Sequence, residues 1–457
     1  MLSHYCTRTW KLKLKQKRIL VLILVIFVGM LITGCLRISA DDLYSLPMVS
    51  EMDIRLQAHI DAILSQGAEF APPTRGPNRQ AVQLQDLDGN GVNEVISFFS
   101  IPGEGLLRIV IFRLVDDDYV IAEVIEGVGT EIESIRYVDL DGDGVMELVV
   151  GWKMGPALRY MSIYSIVGFY SQSLVSGVEF TEIAVFDIDG SGTEDVILFR
   201  LPTVEAGAVA EVYSMMPDGE IISRETRLSA GIESFSRIRP SVLIDGVNAI
   251  LVDSDGTFEN GNLVTDVLTM QEDAFVNVSL QAMSGISDDT VRHRMLSEEI
   301  NRDGIFKIPH LRALRSQSET VYHAIDWYSY DSNGERELML TTYHNSFDEW
   351  FLILPFDWRG AVSVRRDDTI PGERTIIFSY FYDDDDDDKD ESHQDFLAIS
   401  RLSGGDAHSR ATRGNREILA IEGSFIYAYE FLAPPDSFEL TFNETMINEN
   451  FRLIYTE

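Results

Sequence analysis

Asp139-Leu-Asp-Gly-Asp-Gly-Val-Met-Glu147 holds four carboxylates and two glycines within nine residues. Close copies occur at Asp86-Leu-Asp-Gly-Asn-Gly-Val-Asn-Glu94 and at Asp187-Ile-Asp-Gly-Ser-Gly-Thr-Glu-Asp195. Each copy runs directly into an apolar segment rich in β-branched and aromatic residues, such as Val95-Ile-Ser-Phe-Phe99, and this composition is typical of strands. The chain therefore repeats a unit in which an acidic turn leads into a strand.

The repeat continues in weaker form after residue 200. Asp245-Gly246 keeps the turn, and Glu299-Ile-Asn-Arg-Asp-Gly-Ile-Phe-Lys307 keeps the loop but ends in lysine. The corresponding loop glycines are spaced by 53, 48, 54 and 58 residues (Gly91, Gly144, Gly192, Gly246 and Gly304). A period of about 50 residues is that of a four-stranded propeller blade. A solenoid has shorter units, and calcium-binding helix pairs have helical flanks, so both are disfavoured.

These motifs resemble the FG-GAP and VCBS repeats of integrin-alpha-like propellers, whose blades carry an Asp-x-Asp-x-Asp-Gly-like cation loop. The resemblance is strong over residues 80–200 and extends in weaker form to about residue 356. It implies a mainly β protein, a β-propeller of five to seven four-stranded blades with calcium loops. Asp331–Glu337 follows Gly304 too closely to begin another blade, so we interpret it as a turn within the fifth blade.

Calcium prefers six to eight oxygen ligands at about 2.3–2.6 Å, and the loop spacing supplies them. Positions one, three, five and nine offer side chains, position seven offers a backbone carbonyl, and glycine at position six permits the reversal. The second loop has the most carboxylates and is expected to bind most tightly; the third is expected to bind most weakly. The alternative is that these are acidic turns without a metal. We expect two or three structural Ca²⁺ ions, with these ligands: Asp86, Asp88, Asn90, the Val92 carbonyl and Glu94; Asp139, Asp141, Asp143, the Val145 carbonyl and Glu147; Asp187, Asp189, Ser191, the Thr193 carbonyl and Asp195.

The fifth loop is predicted to be metal-free. Lys307 occupies its ninth position, where it is able to neutralise Asp303.

The net charge narrows the choice of partners. The chain of 457 residues has 37 Lys and Arg against 74 Asp and Glu, a formal net charge of −37. Such an acidic surface repels nucleic acid phosphates and anionic lipid headgroups. Nucleic acid binding is therefore excluded as a main role.

The first 34 residues have the opposite charge. They hold six basic residues and no acid, followed by the apolar run 19–32 and then Leu31-Ile-Thr-Gly-Cys35. This order is typical of a secretory signal, and the last five residues resemble the bacterial lipobox, in which the cysteine is acylated and the signal is removed before it. An uncleaved membrane anchor is the alternative, but about 14 apolar residues are short of the roughly 20 that a span needs. We expect lipidation at Cys35, with palmitate among the attached chains, and attachment to the outer face of a bacterial cell membrane.

The remaining organisation follows from composition. Residues 1–34 are the predicted signal, 35–78 a lipidated tether with an amphipathic helix over Glu51–Gln66, and 79–356 the propeller. The segment 71–77 is rich in proline and is predicted to be a linker. Residues 357–457 are predicted to form a small α+β domain. Within them the run Asp383–Asp388 is expected to be a solvated hairpin tip, or alternatively a weak cation site.

Signals for catalysis are weak. The chain has no Gly-x-Ser-x-Gly, Gly-x-x-x-x-Gly-Lys or His-Glu-x-x-His motif. The pairs Tyr322-His323, Asp326-Trp327 and Tyr343-His344 are either a polar and aromatic pocket lining or ordinary strand residues. The sequence favours a membrane-anchored extracytoplasmic lipoprotein whose calcium-stabilised propeller binds a protein or a cell-envelope glycan. The alternatives are a carbohydrate-active propeller enzyme and a purely structural envelope component.

Overall fold

The computed structural model describes residues 51–454, apart from positions 104, 217, 259–261, 288–294, 316–319, 382–392 and 435–439. The predicted signal, Cys35 and the run Asp383–Asp388 lie outside the described residues. The described chain divides into two compact units, one with residues 51–67 and Leu114–Val120, the other with Ala68–Arg113 and the chain from Ile121 onward. Among the described residues, no helix combines the length and the apolar character needed to cross a membrane.

The smaller unit is built on helix α1 (Glu51–Ser65), which agrees with the helix predicted from the apolar spacing. Ile60 is buried, whereas Ile54 on the same predicted face is largely exposed. The tip of a hairpin completes this unit: Arg55 Nη1 donates to the carbonyl of Asp117 at 2.6 Å, and His59 Nε2 lies 3.6 Å from Asp118 Oδ1.

The larger unit consists of antiparallel sheets that follow one another along the chain. The first sheet contains β1 (Glu69–Phe70), β2 (Val82–Gln85), β3 (Glu94–Ile101), β4 (Leu106–Val115) and β5 (Asp118–Val128). The second contains β6 (Glu131–Val138), β7 (Glu147–Lys153), β8 (Arg159–Val167) and β9 (Tyr170–Glu179). The third contains β10 (Glu182–Phe186), β11 (Asp195–Arg200), β12 (Val209–Met215) and β13 (Ile221–Arg227).

Three more sheets complete the described part of this unit. The fourth contains β14 (Ile232–Val242), β15 (Asn248–Gly256), β16 (Leu263–Gln271) and β17 (Ala274–Asn277). The fifth contains β18 (Ile308–Ala313), β19 (His323–Tyr330), β20 (Arg336–Asn345), β21 (Trp350–Leu354) and, at its edge, β27 (Phe451–Leu453). The sixth contains β22 (Val362–Asp367), β23 (Glu373–Phe381), β24 (His393–Leu402), β25 (Glu417–Glu422) and β26 (Phe425–Phe431). The protein is therefore mainly β, with several four-stranded antiparallel sheets.

Consecutive sheets pack face to face, and β11 shows how. Successive side chains of a strand point to opposite faces of its sheet. Val196 and Leu198 share a core with the second sheet, whereas Ile197 and Phe199 share a core with the fourth. A strand buried on both faces needs a continuous apolar run, which explains the segment that follows each acidic loop.

The same alternation links every sheet to the next. One apolar cluster joins the first and second sheets, through Phe98 and Trp152, and another joins the fourth and fifth, through Leu251 and Ile308. The largest joins the fifth and sixth, where Trp358, in the 3₁₀ helix Phe356–Trp358, packs on Phe378 and Phe396.

The fifth sheet agrees with the turn predicted within the fifth blade. The turn that begins at Asp331 joins β19 to β20, and its backbone N–H groups at Asn333 and Glu335 donate to Asp331 Oδ1 at 3.0 and 2.7 Å. Asp331 is thus a hairpin residue, as its spacing indicates.

The C-terminal region differs from the separate α+β domain predicted from residue 357. Its strands form a sixth antiparallel sheet whose core is shared with the fifth, and the chain then returns through helix α3 (Glu444–Asn450) to add β27 to the fifth sheet. Helix α2 (Ala407–Ala411) lies between β24 and β25. The acidic loop that marks the earlier sheets is missing from this sequence, so the repeat was not visible. β23 and β24 pair with Phe381 opposite His393, on either side of the aspartate run.

The segment predicted as a linker at 71–77 is attached to three sheets. Arg75 anchors it: its backbone N–H donates to the Glu133 carbonyl at 2.7 Å, and its guanidinium pairs with Glu133 at 2.9 Å and Glu182 at 3.1 Å. Consecutive prolines indicated a linker, but here the segment is held against neighbouring strands by hydrogen bonds and ion pairs.

Candidate metal centre

The three acidic loops occupy the same place in three sheets. Each joins the first two antiparallel strands of a hairpin: β2 to β3, β6 to β7, and β10 to β11. The ninth position of each loop is the first residue of the second strand. The sheet therefore fixes both ends of the loop, and the loop residues have little freedom to move apart.

The loop backbone requires glycine at two positions. In the second loop, Gly142 at position four and Gly144 at position six have φ of 77° and 87°, in the left-handed region that favours glycine. The glycines of the first and third loops have φ between 69° and 92° (Gly89, Gly91, Gly190 and Gly192). Two left-handed residues so close together curl the chain and direct its N–H groups and carboxylates inward.

Backbone N–H groups hold the carboxylates at positions one and nine. Gly144 N–H donates to Asp139 Oδ2 at 3.0 Å, and Leu140 N–H donates to Glu147 Oε2 at 3.1 Å. The first and third loops repeat both bonds at 2.8–3.0 Å (Gly91 to Asp86, Leu87 to Glu94, Gly192 to Asp187, Ile188 to Asp195). In the first two loops the other oxygen of the position-one aspartate also accepts a backbone N–H, from Asn90 to Asp86 Oδ1 at 3.2 Å and from Gly142 to Asp139 Oδ1 at 2.7 Å, so the loop backbone fixes these carboxylates from two sides.

Carboxylates at positions one, three and nine converge in every loop. One oxygen from each lies within 4.8 Å of the others, a separation that a single metal ion can bridge. The three sets are Asp86, Asp88 and Glu94; Asp139, Asp141 and Glu147; and Asp187, Asp189 and Asp195.

Position five is engaged differently. Asn90 and Asp143 accept the N–H of Val92 and Val145, each at 2.7 Å. In the third loop, Ser191 Oγ lies 2.9 Å from Thr193 Oγ1. The position-five side chains therefore bond to the N–H or hydroxyl of position seven, and the predicted ligand at position seven, the backbone carbonyl, takes no part in these bonds.

The converging carboxylates are electrostatically costly when no cation neutralises them. Burial, followed by the neighbouring carboxylates Asp141 and Asp143, raises the pKa of Glu147 to about 7. Burial and the neighbours Asp189 and Asp187 raise the pKa of Asp195 to about 6. Burial also raises the pKa of Glu94 and Asp141. A bound cation reverses each of these effects, because it favours the ionised carboxylates.

In the third loop, a buried carboxylate oxygen lacks a hydrogen-bond partner within the described residues. Asp187 Oδ1 is buried and has no hydrogen-bond partner within the described chain. A buried carboxylate oxygen normally has one, because leaving it without a partner costs free energy. A cation at the centre of the loop is the type of group that this oxygen can bind.

The fifth loop shows what occupies such a centre when the chain provides it. Lys307 is fully buried, and its Nζ donates to Asn301 Oδ1, Asp303 Oδ1 and the Ile305 carbonyl at 2.7, 2.6 and 2.9 Å. These acceptors are positions three, five and seven of the loop. The structure therefore extends the predicted pairing of Lys307 with Asp303 to a three-point contact.

Neighbouring loops also touch one another, which the sequence did not indicate. Met146 N–H donates to the Leu87 carbonyl at 2.8 Å, and the Asn248 side chain donates to the Asp187 carbonyl at 2.7 Å. A Cβ at Gly89 would clash with the carbonyl of Gly144, so the first loop has glycine where the second approaches it. The order of one loop is thus coupled to the next.

The predicted polar and aromatic patch has a structural role instead. Trp327 and Tyr343 are buried in the core, and Asp326 is buried between Arg312 and Arg359 at 2.8 and 3.1 Å. Burial lowers the pKa of His344 to about 4, which keeps it neutral. Three of the candidate side chains are therefore inaccessible to a ligand, and the interpretation as ordinary strand residues is the better one.

A more open cavity of about 340 Å³ lies between β5 and the second sheet. Aromatic side chains line it together with a carboxylate and hydroxyl groups: Trp152, Tyr160, Tyr164, Glu126, Ser162 and Ser176. Gly127 also lines it, and a Cβ there would clash with the Trp152 ring. This volume is at the lower end of the range of small-molecule sites, and the mixed lining is typical of them.

Comparison with solved structures finds distant similarities. The chain is 9% identical to the Dos1 propeller, with 63% of this chain and 71% of that chain covered and a TM-score of 0.26. It is 12% identical to a protein from Lactobacillus plantarum, with 85% of this chain and 99% of that chain covered and a TM-score of 0.22. No protein-family model matches the chain, and no curated protein matches it. These similarities are too distant to assign a family or a function.

Proposed function

We propose that this protein is a lipid-anchored, extracytoplasmic binding protein whose β-propeller is stabilised by Ca²⁺ in three loops. The observation that carries the proposal is the ammonium of Lys307, which donates hydrogen bonds to three oxygen acceptors of the fifth loop. A loop of the same shape, with a cation at its centre, supports the view that the other acidic loops are cation sites.

The inference of a propeller rests on how the sheets pack against one another. Antiparallel sheets of four or five strands follow one another in chain order, and each of the four sheets between the first and the sixth shares one face with the preceding sheet and the other with the next. This is the relation between blades in a propeller. The six described sheets fall within the five to seven blades expected from the sequence.

Calcium is the cation that fits the donors. The converging groups are carboxylate oxygens on a tight turn, and oxygen ligands select hard divalent cations. Ca²⁺ tolerates irregular geometry better than Mg²⁺, which demands a near-ideal octahedron. The ions would stabilise the fold rather than take part in chemistry.

Among the ligand classes, the cavity beside the second sheet favours a glycan. The flat rings of Tyr160 and Tyr164 offer apolar faces, and Glu126 with Ser162 offers hydrogen-bonding groups. A sugar ring presents both kinds of surface. None of the described geometry favours the enzyme alternative, since Asp326 and Trp327 are buried in structural contacts.

Calcium titration with thermal melting tests the cation sites. Each ion should stabilise the native state by about 2.7 kcal/mol at a hundredfold excess over its Kd. Asp141→Ala should remove part of this gain, and Mg²⁺ at equal concentration serves as the control ion. If saturating Ca²⁺ left the Tm unchanged, and Asp141→Ala did so too, the metal assignment would be wrong.

A glycan array with a soluble fragment beginning at residue 45 tests the ligand. Tyr160→Ala should weaken binding of any glycan that is found, whereas Tyr170→Ala should not, because Tyr170 is exposed in the same sheet but does not line the cavity. Equal effects of the two variants would argue against this cavity, and binding of a protein alone would argue against the glycan.

Fractionation of cells tests the anchor. Cys35→Ser should release the protein from membranes and abolish labelling by palmitate, whereas Cys6→Ser should change neither, since Cys6 lies within the predicted signal. Membrane association that survives Cys35→Ser would favour the uncleaved anchor.

A further inference from the structure

A fully buried lysine is the unusual feature of the fifth loop. Removing an ammonium from water is expensive unless hydrogen bonds replace its hydration. Lys307 Nζ meets this need with three acceptors within 2.9 Å: Asn301 Oδ1, Asp303 Oδ1 and the Ile305 carbonyl. An ammonium has three donors, so every N–H of Lys307 has its acceptor inside the loop.

The loop that surrounds this ammonium has the backbone of the acidic loops. Arg302 at position four has φ of 61°, beside 77° for Gly142, and Gly304 at position six has φ of 82°, beside 87° for Gly144. A residue other than glycine is uncommon in this region and needs its surroundings to hold it there. Arg302 therefore shows that the loop keeps the shape even without the favoured residue.

The hydrogen bonds correspond as well. Ile305 N–H donates to Asp303 Oδ1 at 3.0 Å, as Val145 N–H donates to Asp143 Oδ1 at 2.7 Å. Gly304 N–H donates to Glu299 Oε1 at 3.4 Å, as its counterpart Gly144 does to the first position of the second loop. At position nine, one loop has lysine where the other has a buried glutamate, and positions one, three and four differ as well (Glu299, Asn301 and Arg302 beside Asp139, Asp141 and Gly142).

We propose that the fifth loop is a calcium-type loop whose cation is part of the chain, so that the Lys307 ammonium replaces a bound ion. The inference rests on the proposed function for its comparison with the first three loops. As a consequence, the first three loops and the fifth loop should respond differently to the removal of calcium. The loops of the first three sheets lose their cation when free Ca²⁺ falls, whereas the loop that leads into the fifth sheet keeps its own.

Two substitutions at position nine of the full chain test this proposal, one that should create a calcium site and one that should remove a calcium site. Lys307→Glu should add one bound Ca²⁺ per molecule, and Glu147→Lys should remove one, as measured by equilibrium dialysis with Ca²⁺ alone. Lys307→Met is the matched control, since it removes the ammonium without adding a ligand. It should gain no ion, and its Tm should fall by a similar amount with calcium and with chelator.

Hydrogen exchange adds a readout that does not need a new site. In the wild type, chelation should speed amide exchange in the first three loops by about tenfold or more, and in residues 299–307 by less than about twofold. If Lys307→Glu does not fold, Glu147→Lys answers the question, because its second loop should stay protected in chelator.

The outcomes separate this inference from the proposed function. A wild type that binds no Ca²⁺ refutes the cation sites of the first three loops. The replacement of an ion by the ammonium is refuted if folded Lys307→Glu binds the same number of Ca²⁺ ions as the wild type, and if residues 139–147 of Glu147→Lys are unprotected from amide exchange in chelator. Residues 299–307 that lose protection on chelation refute it too.

Discussion

Glu147→Gln should change the sign of its effect on stability according to whether calcium is present. Glu147 is 2% exposed and lies among three aspartates, and its pKa is raised from 4.5 to about 7. A shift of this size corresponds to about 3 kcal/mol, since one pKa unit is about 1.4 kcal/mol. Because the native state holds the proton more tightly than the unfolded state, this carboxyl group favours folding at low pH, and its contribution is lost as pH rises toward 7.

In chelator at pH 8 the ionised carboxylate therefore costs the native state about 3 kcal/mol relative to neutral glutamine. Glutamine keeps an oxygen that can accept the Leu140 N–H. We expect Glu147→Gln to raise the free energy of unfolding by up to this amount at pH 8, and its advantage to vanish near pH 4.5. With saturating Ca²⁺ the variant should be less stable than the wild type, because it lacks a ligand.

The assay is thermal melting of wild type and variant from pH 4.5 to 8, in chelator and in Ca²⁺. A difference of about 3 kcal/mol corresponds to a Tm shift of about 3–4 °C in a protein of this size. Asp143→Asn is the matched comparison: it reproduces the asparagine that the first loop has at position five, and it should raise Tm in chelator by less than Glu147→Gln, because it removes only one of the charges that raise the pKa of Glu147. If Glu147→Gln had the same sign with and without Ca²⁺, or if its effect in chelator did not vary with pH, the reasoning would be refuted.

Three further changes probe contacts that the structure defines. Gly89→Ala should destabilise the protein by more than Gly91→Ala in urea unfolding, because both glycines have positive φ but only the first faces the Gly144 carbonyl; equal losses would mean that the loops do not touch. Trp358→Ala should cost about 3–5 kcal/mol and lower the free energy of unfolding of the fifth and sixth sheets together, since its ring packs between them. Hydrogen exchange that shows the sixth sheet unfolding separately would contradict the shared core. Asp326→Ala should cost about 3–5 kcal/mol in urea unfolding, because it leaves Arg312 and Arg359 without their buried partner, whereas the exposed Asp218→Ala should cost less than about 0.5 kcal/mol; similar losses would deny Asp326 its structural role.

The strands that follow the acidic loops could be predicted from the sequence because two local signals coincide there. Asp139 to Glu147 specifies a tight turn through its two glycines, and the apolar run behind it specifies a strand buried on both faces. The sixth sheet was not predicted as part of the repeat because residues 357–431 have the strands without the turn. Only the structure shows that this sheet packs on the fifth, through a core that includes Trp358 and Phe378.

Local spacing is enough to specify the loops, their hairpin strands and the carboxylates that each loop presents, because a nine-residue turn brings its own side chains together whatever surrounds it. Tertiary structure decided how strongly those carboxylates resist ionisation, because burial by neighbouring strands raises the pKa of Glu147. The sequence left Trp327 and Tyr343 open between pocket residues and ordinary strand residues, and packing between sheets settles the choice because it buries both. Contacts between residues far apart in the chain, such as Met146 with Leu87 and Asn248 with Asp187, leave no periodic signal in the sequence, and only the packed sheets bring them together.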